Sequence, residues 1–227
     1  VKIKELIKKN IGKTALLEHE VKALLKEMGF PVPKGIFVDK EMVEQIPMIV
    51  DISYPVVAKV SSSRIVSKSE VNGVRIGLKN EIELKKAVLE LLQIEDAEGA
   101  LIEEMAAPGI EVIIGGVVDE QFGPVVMFGL GGFFVELFKD VAFALAPIEK
   151  EDALWLVNQI KGYRLLEGYR EKPPVDINTL LEIIVKVSGI IATGLIKEID
   201  LNPVSLYPQG AMVLDAKILN ILLSRKI

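Results

Sequence analysis

The chain has 227 residues, half of them hydrophobic and 26% charged, with a net charge of −5, enough for a real core in one large or two small domains. The acidic balance argues against a nucleic-acid binder, whose footprint is a basic surface, and the lack of cysteine removes disulfide and thiolate chemistry. The longest apolar stretch, Pro124 to Val135, is too short and glycine-rich to span a bilayer, and nothing at Val1 to Lys9 reads as a leader, so a cytoplasmic protein with no membrane partner is expected.

Thr14 to Met28 predicts a helix with Leu17, Val21, Leu24 and Met28 on one stripe and Gly29 as its stop. The only histidine, His19, lies off that stripe between two glutamates and reads as a solvated surface residue. Phe30-Pro-Val-Pro33 leads into a short strand, Gly35 to Val38, and Asp39 can cap a short helix ending before Pro47.

Tyr54 to Val60 is a β-branched run that predicts a buried strand, and Lys59 lies within it. An ammonium buried there needs an anionic partner. A nucleotide phosphate would serve, whereas a lysine snorkelling from an edge strand would need none. The hydroxyl-rich segment Ser61 to Ser69 carries Arg64 and Lys68 before a strand at Gly73 to Leu78. It reads equally as a cover for phosphates or as a plain connection. Asn80 and Glu83 form a capping box for a helix to about Gln93.

From Gly99 the composition shifts to longer β-rich segments. Leu101 to Met105 and Ile110 to Gly115 read as strands around Ala107-Pro-Gly109, with Glu103 and Glu111 both candidates to face one cleft. Pro124 to Phe128 reads as a strand followed at once by Gly129-Leu-Gly-Gly132. Glycines in that position let backbone N–H groups approach an anion, although a turn uses them as well. Helices are expected from Glu149 to Ile160 and from Asp176 to about Ile191, the second with an apolar stripe of Leu180, Ile183, Ile184 and Val187. Between them runs a doubled Gly-Tyr-Arg pattern, Gly162 to Arg170, whose Arg164 and Arg170 are candidates for a partner, a phosphate or surface ion pairs.

The segment Lys197 to Lys217 predicts two strands joined at Tyr207-Pro-Gln-Gly210. Alternation puts Glu198, Asp200 and Asn202 on one face. Tight closure at Pro208-Gln209 would set Asn202 opposite Asp215 and Asp200 opposite Lys217. Hard oxygen ligands gathered this way suit a magnesium ion that also holds phosphates. An amphipathic hairpin with its polar face in water would look the same. The element order predicts an α+β chain in two lobes: 1–98, an N-terminal helix with the smaller lobe, and 99–227, the larger lobe with the hairpin. The abundance of Lys, Glu and Ile fits a heat-adapted source.

Tyr54-Pro-Val-Val-Ala-Lys59, Ile110-Glu-Val-Ile-Ile-Gly115, Gln121-Phe-Gly-Pro through Gly129-Leu-Gly-Gly132, Gly162 to Arg170 and Glu198-Ile-Asp-Leu-Asn-Pro203 together resemble one family. It is the nucleotide-binding β subunit of ADP-forming acyl-CoA (acetate–CoA) synthetases, an ATP-grasp protein related to the succinyl-CoA synthetase β chain. The resemblance runs from about Leu16 to Leu219. It implies an ATP-grasp fold whose lobes enclose ATP or ADP. Lys59 would hold a phosphate, Glu103 and Glu111 would line the adenosine side, and Gly129, Gly131 and Gly132 would form a phosphate loop. Asn202 and Asp215 would bind Mg2+, with Asp200 and Glu198 beside them. It also implies an α subunit carrying CoA-binding domains, joined with this chain in a heterotetramer.

One departure stands out. The family carries His-Lys-Ser on a swinging loop, and that histidine relays phosphate to ADP; this chain has Ser67-Lys68-Ser69. A phosphate ester transfers far less readily than a phosphohistidine. The adjacent family glycine is Asn72, and a usual arginine after the Gly-rich run is Ala144. Three readings follow: a ligase subunit active only with its α subunit, a non-catalytic nucleotide-binding paralogue, or an ATP-grasp ligase working through an acyl phosphate without a relay histidine.

Overall fold

The computed structural model describes residues 16–46, 51–65, 67–132, 139–170 and 173–221. The first helix, α1 (Glu18–Glu27), begins at the N-cap Leu17 and buries Val21, Leu24 and Leu25; the expected start at Thr14 lies outside the described residues. β1 (Gly35–Val38), β2 (Val56–Ser61), β3 (Val74–Leu78) and β4 (Gly99–Glu104) form an antiparallel sheet in the order β1-β4-β2-β3. Over it lies α2 (Glu81–Leu91), whose Leu84, Val88 and Leu91 close a core with Val56, Ala58, Val60 and Ile102. At its start Asn80 caps as expected, but the Glu83 carboxylate takes the Lys79 amide at 2.8 Å and not the Asn80 amide of a full capping box. The Glu83 amide donates to Asn80 Oδ1 at 3.0 Å, and the Glu83 carboxylate accepts from Asn80 Nδ2 at 2.9 Å. Asp39 caps the short turn after β1, its Oδ1 accepting from the amides of Glu41 and Met42.

The second sheet contains β5 (Ile110–Asp119), β6 (Gly123–Leu130), β7 (Val141–Leu145), β8 (Ile196–Leu206) and β10 (Ala216–Ile221), ordered β10-β8-β5-β6-β7, with the short β9 (Ala211–Val213) also paired to β8. One face packs on α3 (Lys150–Asn158) and α4 (Ile177–Ala192). Leu180, Ile183, Ile184 and Val187 of α4 are all buried against it, as their spacing predicts. Asp176 caps α4 by accepting from the Thr179 amide at 3.1 Å.

Three expectations need correction. The boundary near Gly99 is misplaced, because Gly99–Glu104 lies hydrogen-bonded between β1 and β2 in the smaller sheet. The division therefore falls between Glu104 and Ile110; the change in composition at Gly99 reflects burial of a central strand, not a new lobe. α1 likewise belongs to the other side: Val21, Leu24 and Leu25 join the same core as Ile114, Val187 and Leu201. Finally, His19 is half-buried and stacked on Phe37 of β1, with ring centroids 4.3 Å apart. The face of α1 opposite the larger core meets the smaller lobe, not water.

Candidate functional site

Because α1 lies between the lobes, residues at its i and i+4 positions reach both. Glu18 and Lys22 sit 2.8 Å apart, each about 6% exposed or less. Facing them are Lys59 from β2 and Glu103 from β4. Lys59 Nζ lies 2.7 Å from Glu103 and 3.1 Å from Glu18, and it also donates to the carbonyl of Leu214. Lys22 Nζ lies 2.5 Å from Glu103 and donates to the same carbonyl at 2.7 Å. Lys68, on the connection between β2 and β3, lies 3.0 Å from Glu18 and spans both carboxylate oxygens of Asp215 at 2.9 and 2.7 Å. Three ammonium groups and three carboxylates thus form one continuous cluster between the lobes.

Electrostatics explains how charges survive there. Burial by itself would raise the Glu18 pKa, but Lys59, Lys22 and Lys68 outweigh it and hold that carboxyl well below the usual range. For Lys59 burial would lower the pKa, and Glu18, Glu103 and Asp215 more than reverse it. Burial likewise works against the Lys68 charge, and Glu18 and Asp215 overcome it to raise that pKa. Lys22 goes the other way: burial, helped by the neighbouring Lys59 charge, exceeds the pull of Glu18 and Glu103.

These contacts remove one of the alternatives for Lys59. β2 is flanked by β4 and β3, so snorkelling from an edge is excluded, and the lysine is 8% exposed. Its anions in this structure are protein carboxylates. Glu103, expected beside an adenosine, is 2% exposed and committed to Lys22 and Lys59. Glu111 lies apart from it, exposed on β5 opposite Ser205.

The glycine run differs from the expected loop. Gly129 lies inside β6, paired with Ile113 and Val141. The Gly131 amide donates to the Glu111 carbonyl at 2.8 Å, and a Cβ there would come within 3.0 Å of the Glu111 backbone. Close packing of strands accounts for both residues. Of the three, only Gly132, with φ +60°, adopts the left-handed region.

The hairpin keeps the expected register. Asp200 pairs with Lys217, Leu201 with Ala216 and Val204 with Val213, and the Asn202 amide donates to the Asp215 carbonyl at 3.2 Å. Ile199 and Leu201 are buried in the larger core, so Glu198, Asp200 and Asn202 take the opposite face. The strand breaks at Leu214–Asp215 beside Pro203, which has no N–H to give the ladder. The Leu214 and Asp215 amides both point at the Pro203 carbonyl, and the Leu214 carbonyl is left to accept from Lys22 and Lys59. A proline in β8 thereby supplies an acceptor to the lysine cluster.

The acids of this hairpin do not converge into a ready cage. Among the described residues no group of three or more His, Asp or Glu is arranged to hold a metal, and Asp215 is engaged by Lys68. The donor set nonetheless fits a hard cation. Burial, then the charges of Asp215 and Glu198, pushes the Asp200 carboxyl up to about 6. A partly buried acid crowded by like charge is stabilised in its ionised form by a nearby cation. Beside them opens a narrow pocket lined by Glu18, Ser61, Ser62, Lys68 and Lys217. The Ser61 hydroxyl in its wall is buried and lacks a hydrogen-bond partner among the described residues.

Ser67 is half-buried next to Lys68, and Asn72, the family glycine position, adopts a left-handed φ of +50°, which asparagine tolerates. Arg170 stacks over the ring of Tyr169, 5.3 Å from its centroid. Glu18, Lys22 and the Leu214 carbonyl escaped the sequence reading. The available signal was the Glu18/Lys22 pair at i,i+4, on the same side of the helix as Val21 and Leu25.

Comparison with known proteins shows the family and the fold. The ATP-grasp domain family matches residues 8–219. The chain is 43% identical to the acetate–CoA ligase (ADP-forming) I subunit beta of Pyrococcus furiosus, over 96% of this chain and 97% of that protein. It is 44% identical to acetate–CoA ligase (ADP-forming) II of Archaeoglobus fulgidus, over 89% of this chain, but there it spans only 30% of the relative's length. Among solved structures, the dinucleotide-forming acetyl-coenzyme A synthetase 1 of Ca. Korarchaeum cryptofilum aligns with a TM-score of 0.80 and 42% identity, covering 96% of this chain and 99% of that one. That structure is in complex with coenzyme A and Mg-AMPPCP, its phosphohistidine segment pointing towards the nucleotide binding site. The chain belongs to the ATP-grasp family, in the group that includes the β subunits of ADP-forming acetate–CoA ligases.

Proposed function

We propose that this chain is the nucleotide-binding subunit of an ADP-forming acyl–CoA ligase, moving a phosphoryl group between a phosphoenzyme and ADP. The observation that carries the reading is the juxtaposition of the acidic hairpin face with the buried lysines across the cleft between the lobes. Lys59 would exchange its carboxylate partners for a nucleotide phosphate, and the orphaned Ser61 hydroxyl lies in the wall of the same cleft. Asn202 and Asp215, with Asp200 and Glu198 beside them, would hold Mg2+, which when bound neutralises and orients the phosphates. Glu111 and Gly132 are proposed on the nucleotide side of the larger sheet. Positioning and charge compensation supply most of the catalysis in such transfers.

The acyl-CoA chemistry is assigned to an α subunit, with the two chains in a heterotetramer; this implies a cytoplasmic location. Ser67 stands where the family's relay histidine is expected, and its hydroxyl would form a phosphate ester instead of a phosphoramidate. A second reading, a nucleotide-binding paralogue with the relay lost, rests on that residue alone. Calorimetric titration with ADP and Mg2+ tests the site. We expect magnesium-dependent binding that Asp215→Ala abolishes. No binding at millimolar nucleotide would remove the enzymatic reading. Pairing Ser67→His with the α subunit of a related ligase separates the two readings: turnover gained only in the variant identifies the lost relay.

A further inference from the structure

Of the three clustered lysines, Lys68 is the one joined, among the described residues, to a side chain of the acidic hairpin, and the manner of that contact is specific. Its ammonium meets both oxygens of Asp215, at 2.9 and 2.7 Å, and so occupies the lone pairs that a divalent cation would use. Glu18 adds a third anionic oxygen at 3.0 Å. Nor is the side chain aimed by accident. The Lys68 carbonyl accepts from the Gly73 amide at 2.7 Å, and a Cβ at Gly73 would come within 2.3 Å of Val60 and 3.0 Å of that carbonyl. The Gly73 side of the turn is therefore packed against Val60, which sets where Lys68 enters the cluster.

The cluster's other lysines differ in one respect. The side chains of Lys22 and Lys59 are 6% and 10% exposed, whereas that of Lys68 is 20% exposed and lines the pocket between the lobes. Water reaches Lys68, so its ion pair can be exchanged without opening a core. A divalent cation on the same two oxygens of Asp215 would lie within about 4 Å of that ammonium and repel it strongly.

From this we infer that Lys68 is the resident counter-cation of the acidic hairpin, competing with a hydrated divalent metal for Asp215 and anchoring the Ser67 segment to the hairpin until that metal arrives. The inference rests on the reading of Asp215 as a metal ligand. Metal occupancy then controls whether the Ser67 segment is tied to the hairpin: with Asp215 on the metal, the ammonium keeps Glu18 and can take another anion, such as a nucleotide phosphate.

Titration of the full chain with Mn2+ alone, without nucleotide, tests the competition. Lys68→Met should tighten Mn2+ binding roughly tenfold, the size of one charge-assisted contact. Lys68→Arg, which keeps the charge, should stay near the parent affinity. Asp215→Asn should lose the site in every background. Unchanged or weaker binding in Lys68→Met, with Asp215→Asn still abolishing it, overturns the competition and leaves the metal-site reading standing. Metal binding that is indifferent to Asp215→Asn overturns both. Amide hydrogen exchange over residues 67–73 tests the anchoring: it should accelerate when Mn2+ saturates the parent chain and be fast from the start in Lys68→Met. Exchange that ignores both changes overturns the anchoring.

Discussion

The two walls of the cleft solve the problem of buried charge in opposite ways. On the α1–β2–β4 side every ion has an ion: Glu18 and Glu103 meet Lys22 and Lys59, and the Glu18 carboxyl is held far below its usual pKa. On the hairpin side burial, then the neighbouring charges of Asp215 and Glu198, pushes the Asp200 carboxyl up to about 6, and Lys217 and Lys68 do not offset them. The first wall is internally compensated and so mainly structural in this state. The second is short of positive charge, and such a deficit is what a binding site retains for its ligand.

The comparison breaks most visibly at Glu103. Its removal as Glu103→Ala leaves Lys22 and Lys59 buried with half their anionic partners gone, and breaking a buried pair from one side costs about 3–5 kcal/mol. A shift in denaturation midpoint equivalent to less than about 1 kcal/mol would show that water compensates the cluster. Glu18→Gln is expected to cost less, about 2 kcal/mol at neutral pH, since the amide keeps the shape and part of the hydrogen bonding. Its pH dependence carries a sign. A carboxyl with a depressed folded pKa contributes stability above its unfolded pKa of about 4.3, and that contribution is lost as the pH falls further. The gap between parent and variant should therefore close in acid.

Asp200→Asn should do the reverse. The folded pKa lies above the unfolded value of about 3.9, so the native state holds an extra proton between about pH 4 and 6, and ionisation costs stability as the pH rises through 6. The variant should be more stable than the parent by about 1–2 kcal/mol at pH 8, with no gain at pH 4, by urea denaturation at both values. Mg2+ with ADP should erase that gain by restoring the parent; a variant less stable at pH 8 would refute the charge deficit. Asn80→Ala, far from either wall, sets the scale at about 1 kcal/mol for one lost helix cap, equal at both pH values.

Local features were readable before the fold was known. The Asn80 cap, the α4 stripe and the hairpin register all follow from interactions within a few residues or across one tight turn, and each appears as expected. In the hairpin, buried Ile199 and Leu201 alternate with Glu198, Asp200 and Asn202 as a strand requires. The break at Pro203 comes after them and leaves the pairing of Asp200 with Lys217 intact. The residues that were misread have long-range partners. Gly129 and Gly131 look like an anion loop in sequence, yet what requires glycine is close approach of Val141 and of the Glu111 backbone. Gly99–Glu104 looks like the start of a lobe, although its hydrogen bonds run to β1 and β2.

By itself the sequence determined the α+β class, the helical stripes, the family and the face that Glu198, Asp200 and Asn202 share, because periodicity and turn chemistry act over short distances along the chain. Only the tertiary structure decided which anion holds Lys59, why α1 lies between the lobes, and how Lys68 comes to rest on Asp215, 147 positions away. Buried ions are paired by whatever the fold brings within about 4 Å, and strand order, not sequence separation, governs that distance.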